Sequence, residues 1–275
     1  MRRGLAWFWG ISALLATGCS TSPTGRSQFM IISPEAAVVQ SQKAYATTIQ
    51  GLKKEDKLSD DSRLADRVQA ITGRLITTAQ EQFPRSGSWD WSVALIDDDK
   101  TVNAWCMAGG RMAVYTGLFK QLDLTDDEFA QIMGHEIAHA LANHTAEQMS
   151  RAVAAQIGLS AINVATDNNQ GLMTGAQLAA VLALQLPNSR TAESEADAIG
   201  LELATLTGYE PMAAVSLWRK MSALSDKRPP EFMSTHPDPE RRLSTLAERA
   251  RQIGGLNPEG VKPEIYPVTI VYKQD

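Results

Sequence analysis

The stretch "GHEIAHALANH", residues 134–144, constrains this chain more than any other, because it holds three of its four histidines. Thr125 and Glu128 in the preceding "TDDE" form a capping box, and Phe129, Ile132 and Met133 follow at once, so the stretch is predicted to ride on a helix. Phe129, Met133, Ile137 and Leu141 make an apolar stripe for the core. His135 and His139 lie one turn apart, about 40° round the axis. They sit off the centre of the stripe, on a face expected to look into a cleft. Two imidazoles so placed reach one metal ion while Glu136 projects beside it, which is the mechanical content of H-E-x-x-H. His144 falls about 140° beyond His139 and is expected to be structural or on the surface.

A hydrolytic zinc site wants three protein ligands and an open position for water. "RTAESEADAIGLELA" offers the third: Glu193 and Asp197 stand four apart, so a helix puts both carboxylates on one face. Glu193 completes a His₂Glu set, and Asp197 can accept a hydrogen bond from a ligand imidazole and fix its tautomer. Glu195 and Glu202 are rival acids, expected to be solvated. The fourth histidine, His236, sits in "STHPDPERRL", where Asp238 and Pro239 read as N-cap and first position of a helix. From there His236 can hydrogen-bond a tetrahedral oxyanion, or bind the metal directly and make a latent enzyme.

The rest of the chain reads as a mainly helical α+β domain with a small inserted sheet. Helices are expected over 33–54, capped by Ser33, and over 61–83, with Leu64, Val68, Ile71 and Leu75 at helical spacing. "WDWSVALI" (89–96), Val102 to Met107 and "RMAVYTG" (111–117) read as strands, with Gly109-Gly110 as a turn. Everything downstream looks helical until "YPVTIVY" (266–272). The Asn/Gly-rich start of 162–190 reads as a loop that could act as a lid, and its apolar end as a helix. The domain is drawn over 33–255, with 256–275 as a tail carrying a short strand.

Arg2 and Arg3 precede an apolar run, Leu5 to Ala16, that is too short to span a bilayer and fits a signal peptide over 1–18. "LATGCS" resembles the bacterial lipoprotein cleavage box, with lipid on Cys19 and residues 19–32 as a lipidated linker. Ser20 resembles lipoproteins sorted to the outer membrane of a Gram-negative cell, facing the periplasm. Acyl chains there would tether the protein to the membrane. Cys106 is then left without an intrachain partner and is expected to be a buried thiol. A net charge of −5 leaves no nucleic-acid footprint.

"HEIAH", "ESEAD" and "HPDPERR", in this order, resemble the zinc metallopeptidase family of the CAAX prenyl, Oma-type and HtpX-type proteases. The likeness spans roughly residues 25–250 and is closest to the soluble lipoprotein (LoiP- and BepA-like) and Oma-like members. It implies a zincin-type fold in which an edge strand of the sheet flanks the active site. "VNAWCMAGGRMAVYTGLF" is similar to that family's edge-strand segment, although Met107-Ala108 stands where many relatives have leucine-proline. The resemblance implies one zinc ion held by His135, His139 and Glu193, with Glu136 as base, Asp197 behind a ligand histidine and His236 over the site. It also implies that Arg242 is structural or contacts substrate.

Metal-assisted peptide hydrolysis follows, with an extended substrate pairing beside Asn103 and Ala104. The expected substrates are unfolded or misfolded envelope proteins. A rival reading is a zinc-stabilised periplasmic chaperone or outer-membrane assembly factor, in which binding is the function. Glu136 discriminates, because a structural zinc needs no base beside it. Oligomeric state is not legible.

Overall fold

The computed structural model describes residues 19–165, 189–225, 230–236 and 239–273. The proposed signal peptide, most of the candidate lid, Pro237 and Asp238 lie outside them. The described residues gather into two units, residues 19–37 with 143–165 and residues 38–142 with the described part of 187–275.

In the first unit, the stretch read as a linker is a hairpin of β1 (Cys19–Thr21) and β2 (Ser27–Phe29). Gly25, at φ 84°, gives it the left-handed residue its turn requires. It packs on α5 (His144–Ala165): Glu147 accepts from Arg26 and Gln28, and Ser150 Oγ accepts from the amides of Ile31 and Ile32. His144, read as structural or exposed, is buried on this helix.

The second unit carries α2 (Ser62–Gln82), started by Asp61, whose side chain accepts from Leu64 N, and most of α1 (Pro34–Lys54). Its sheet has β3 (Ser92–Ile96), β4 (Ala104–Met107), β5 (Arg111–Tyr115) and β6 (Thr269–Val271) in the order β4-β5-β3-β6. Strand β3 is parallel to both neighbours and buried along its whole length, as a strand covered on both faces must be. Val93, Leu95, Met112 and Val114 join the main core with α2 and α4 (Asp126–Leu141), while Ala94, Ile96 and Ala113 meet Tyr45 and Ile49 of α1. The predicted strand at 89–96 starts only at Ser92, because Trp89 closes a 3₁₀ turn. The one at 111–117 stops at Tyr115, because Thr116 opens α3 (Thr116–Leu122). Gly117 sits against the carbonyls of Asp98, Asp99 and Thr101, where a Cβ would clash, so only glycine fits in this first turn of α3.

Strand β4 turns back antiparallel to β5 through Gly109 and Gly110, both at positive φ, and forms the sheet edge expected beside the site. Next come α6 (Arg190–Leu206), α7 (Ala213–Ser225), the short α8 (Glu231–Thr235) and α9 (Pro239–Ile253). The most extensive interface between elements is α4 on α6. There Gly134 meets Gly200: a Cβ on Gly134 would lie 2.8 Å from Gly200 O, and one on Gly200 2.7 Å from His135 Cα. The helices cross backbone to backbone, right beside the first histidine of the motif.

Candidate metal centre

Helix α4 begins with the expected capping box: Thr125 Oγ1 accepts from Glu128 N, and Glu128 accepts from Thr125 N. The amphipathic reading of the rest needs correction. Glu128 to Leu141 is buried on every side, His135 and His139 included, because the sheet, α2, α6 and α7 enclose the helix.

The crossing at Gly134 and Gly200 brings Glu193 and Asp197 of α6 to the two histidines, and α8 ends by placing His236 beside them. His135, His139, Glu193 and His236 each offer one ligand atom, and these atoms all lie within 4.8 Å of one another. His135 Nε2 stands 3.0 Å from His139 Nε2, 3.1 Å from His236 Nδ1 and 3.4 Å from Glu193 Oε2. His236 Nδ1 also stands 3.0 Å from Glu193 Oε2.

The donor set fits a divalent metal. His135 Nδ1 lies 3.0 Å from Asp197 Oδ1. Donating there leaves Nε2 as a lone pair turned toward the other ligand atoms, the tautomer a metal-bound imidazole needs. The local field favours positive charge. Burial and the Arg242 cation lower the pKa of His135, yet Asp197 and Glu193 outweigh them and hold it at about 9. Burial would raise Glu193, but its contacts with His135 and His236 keep it far below the carboxylate range. Burial would likewise raise Asp197, but the Arg242 charge and the His135 contact hold it down.

Arg242 enters the site. Its Nη2 donates to Asp197 Oδ1 at 2.5 Å and its Nη1 lies 3.1 Å from Glu193 Oε2, so one guanidinium braces both acids of α6. Two residues passed over in the sequence support this arrangement. Trp218 of α7 presents its ring 4.3 Å from the Arg242 guanidinium carbon. Phe232 of α8 lies between, with its ring centroid 4.4 Å from that of His236. Neither carries a spacing signal, since a lone aromatic in a helix reads as core. Glu195, expected to be solvated, is buried and has polar company, while Glu202 is exposed as expected.

Glu136 differs from the other acids. Its Oε1 is 3.4 Å from His236 Nε2 and has no hydrogen-bond partner among the described residues. Burial raises its pKa, only partly offset by His236 and His135. An underpartnered carboxylate beside a ligand group is suited to taking up a proton.

The edge strand lies alongside. Tyr115 N bonds Asn103 O, so residues 103, 105 and 107 face β5 while 102, 104 and 106 face the free side. On that side Phe232 N donates to Val102 O, and Asn103 Oδ1 accepts from Ala104 N at 2.9 Å. Ala104 O and Cys106 N have no partner there among the described residues. Cys106 is a buried free thiol, as expected, and burial pushes its pKa well up.

A mainly helical α+β domain with H-E-x-x-H on one helix, an acid from a second and an edge strand beside them is the architecture of the zinc metallopeptidase class. The chain belongs to peptidase family M48, whose family model matches residues 62–250. It is 32% identical over 197 residues to the mitochondrial metalloendopeptidase OMA1 of Arabidopsis thaliana, covering 71% of this chain and 38% of that protein. With the mitochondrial metalloendopeptidase OMA1 of Bos taurus it shares 29% identity over 259 residues, 90% of this chain and 47% of that one. The beta-barrel assembly-enhancing protease of Escherichia coli K12 is 28% identical over 214 residues, 74% of this chain and 42% of the relative. The chain thus spans less than half the length of these three relatives.

Proposed function

We propose that the protein is a zinc endopeptidase of the bacterial cell envelope that cuts unfolded or damaged envelope proteins. His135, His139 and Glu193 would hold the zinc, which when bound would acidify a water and polarise the scissile carbonyl. Glu136 accepts the proton of the attacking water and passes it to the leaving amine. Asp197, braced by Arg242, keeps His135 in the ligating tautomer. His236 donates to the developing oxyanion, a contribution of about 3 kcal/mol for one such donor. The substrate main chain pairs with Ala104 O and Cys106 N, and Asn103 orders the entrance to that edge. Main-chain pairing tolerates many sequences, which suits unfolded segments.

The observation that carries this reading is the buried Glu136 carboxylate, underpartnered and beside the ligand group. A purely structural zinc has no use for it. The envelope assignment, with lipid on Cys19 as the membrane anchor, rests on the "LATGCS" box, and the name of the Escherichia coli relative supports it. No helix among the described residues is long and apolar enough to cross a membrane.

Casein cleavage by the mature zinc-loaded protein, beside Glu136→Gln at matched zinc content, tests the reaction. Wild type should cut and the variant should not, whereas equal activity in both would remove Glu136 as the base. A second reading, latency, is favoured by two observations. His236 Nδ1 sits within the ligand group, and both His135 and Ala104 are buried, at 6% and 1% exposure. In that state His236 is a fourth ligand, and substrate gains access only after it withdraws. Inactivity of a zinc-loaded wild type, relieved by an activating condition that weakens the His236 contact, would distinguish it.

A further inference from the structure

The free edge of β4 closes abruptly at Val102, where the Phe232 amide takes the carbonyl that would continue the ladder. A cavity of about 260 Å³ opens at that closure. Its wall combines Lys100, Thr101 and Val102, just ahead of β4, with Gln121 of α3 and with Glu231 and Ser234 of α8. Glu231 and Ser234, three residues apart, share one face of α8, while Phe232 turns to His236 on another. The same short helix therefore borders the metal group on one side and the cavity on the other.

A substrate strand paired at Ala104 reaches the level of Val102 two residues on, about 7 Å further along. Its main chain finds no partner there, so it leaves the edge, and the side chain at that position faces the cavity. The volume suits one long side chain and falls short of a small-molecule pocket of about 300–1,000 Å³. Lys100, Gln121, Glu231 and Ser234 are exposed, so this part of the path is open while the metal group is buried.

The charges on the wall select the occupant. Lys100 and Glu231 are opposite in sign and share this wall, and the Lys100 charge also acts on Asp98. A cationic or anionic side chain would be attracted by one and repelled by the other. An apolar one would meet only Leu224 and Pro230 and gain nothing from either charge, both of which stay open to water. A primary amide offers a carbonyl to the ammonium and an NH₂ to the carboxylate at once. We propose that this cavity is a substrate side-chain subsite selective for glutamine or asparagine, formed by Lys100 and Glu231 at the closed end of the edge strand. The inference rests on the peptidase reading for its substrate, but its test does not need turnover.

Labelled extended peptides carrying Gln, Leu, Lys or Glu at each position in turn would be bound to zinc-loaded mature protein with Glu136→Gln, and read by fluorescence anisotropy. At one position Gln should bind about tenfold tighter than the other three. Lys100→Glu should move that preference to Lys, and Glu231→Lys should move it to Glu. Cleavage by wild type, measured in parallel, separates the two ideas: charge-swapped selectivity without cleavage keeps the subsite and removes the peptidase. Peptides that bind equally whatever that residue is, a preference that neither swap moves, or no peptide binding in any form would each overturn the subsite.

Discussion

Glu128 and Glu136 stand two turns apart on one helix, about 12 Å along its axis, and are buried alike at 2% and 3% exposure. Their surroundings differ. Glu128 accepts from Thr125 N at 2.9 Å, Ser216 Oγ at 2.7 Å and Lys220 Nζ at 2.7 Å, so both of its oxygens are partnered. Burial would raise its pKa, but the bonds from Lys220 and Ser216 prevail and hold it below the ordinary value. Glu136 has the burial without the partners, and its pKa is raised. The N-terminal end of α4 is therefore arranged for stability, and its middle keeps an acid reactive at a cost in stability. Burial alone does not tell the two apart; the partners do.

The comparison breaks first at Glu136. Glu136→Gln should lower kcat by about 10²–10⁴-fold, while the urea midpoint holds or rises, because a neutral amide is cheaper to bury than an underpartnered carboxylate. A fall in stability of the size expected for Glu128 would show that the two acids do the same job. Next, Glu128→Ala should destabilise the fold by about 2–3 kcal/mol, since it strands Lys220 and Ser216. Activity per folded molecule should stay as it was. A smaller effect is expected for Asp197→Asn, a weakening of zinc affinity by about 10–100-fold in chelator competition; Glu128→Ala should not move that constant.

The smallest effect concerns acid. Because the folded pKa of Glu128 is depressed, its stabilisation is fully present above its unfolded value, near 4.5, and is lost as pH falls through the folded value. Denaturation midpoints of Glu128→Gln should therefore decline less steeply below about pH 4.5 than those of wild type. Parallel curves would mean that the network carries no net charge linkage.

Much of the site was legible because its parts obey helical arithmetic. His135 with His139, and Glu193 with Asp197, are pairs four apart on helices that end where their caps say. Thr125 and Glu128 announce one helix start in the sequence itself. What the sequence could not show is what arises between elements. Trp218 meets Arg242 only once α7 and α9 pack, and the closure of the edge at Val102 depends on where α8 lands. The reading of α4 as amphipathic failed for a related reason: an apolar stripe reports the face that must be buried, and not how many neighbours will enclose the rest. The hairpin at Cys19–Phe29 was missed because its strands are three residues long and polar in composition, too short for an alternating pattern.

The meeting of Gly134 with Gly200 sets the spacing of the metal centre by main-chain atoms. Backbone has no rotamers to relax into, so the gauge between the two ligand-bearing helices belongs to the fold and not to the ion. Removing zinc with a chelator should leave the α4–α6 crossing in place, and returning it should refill the centre without a refolding phase. Such a protein could be kept, stored or exported empty and still be ready to take up its metal on arrival.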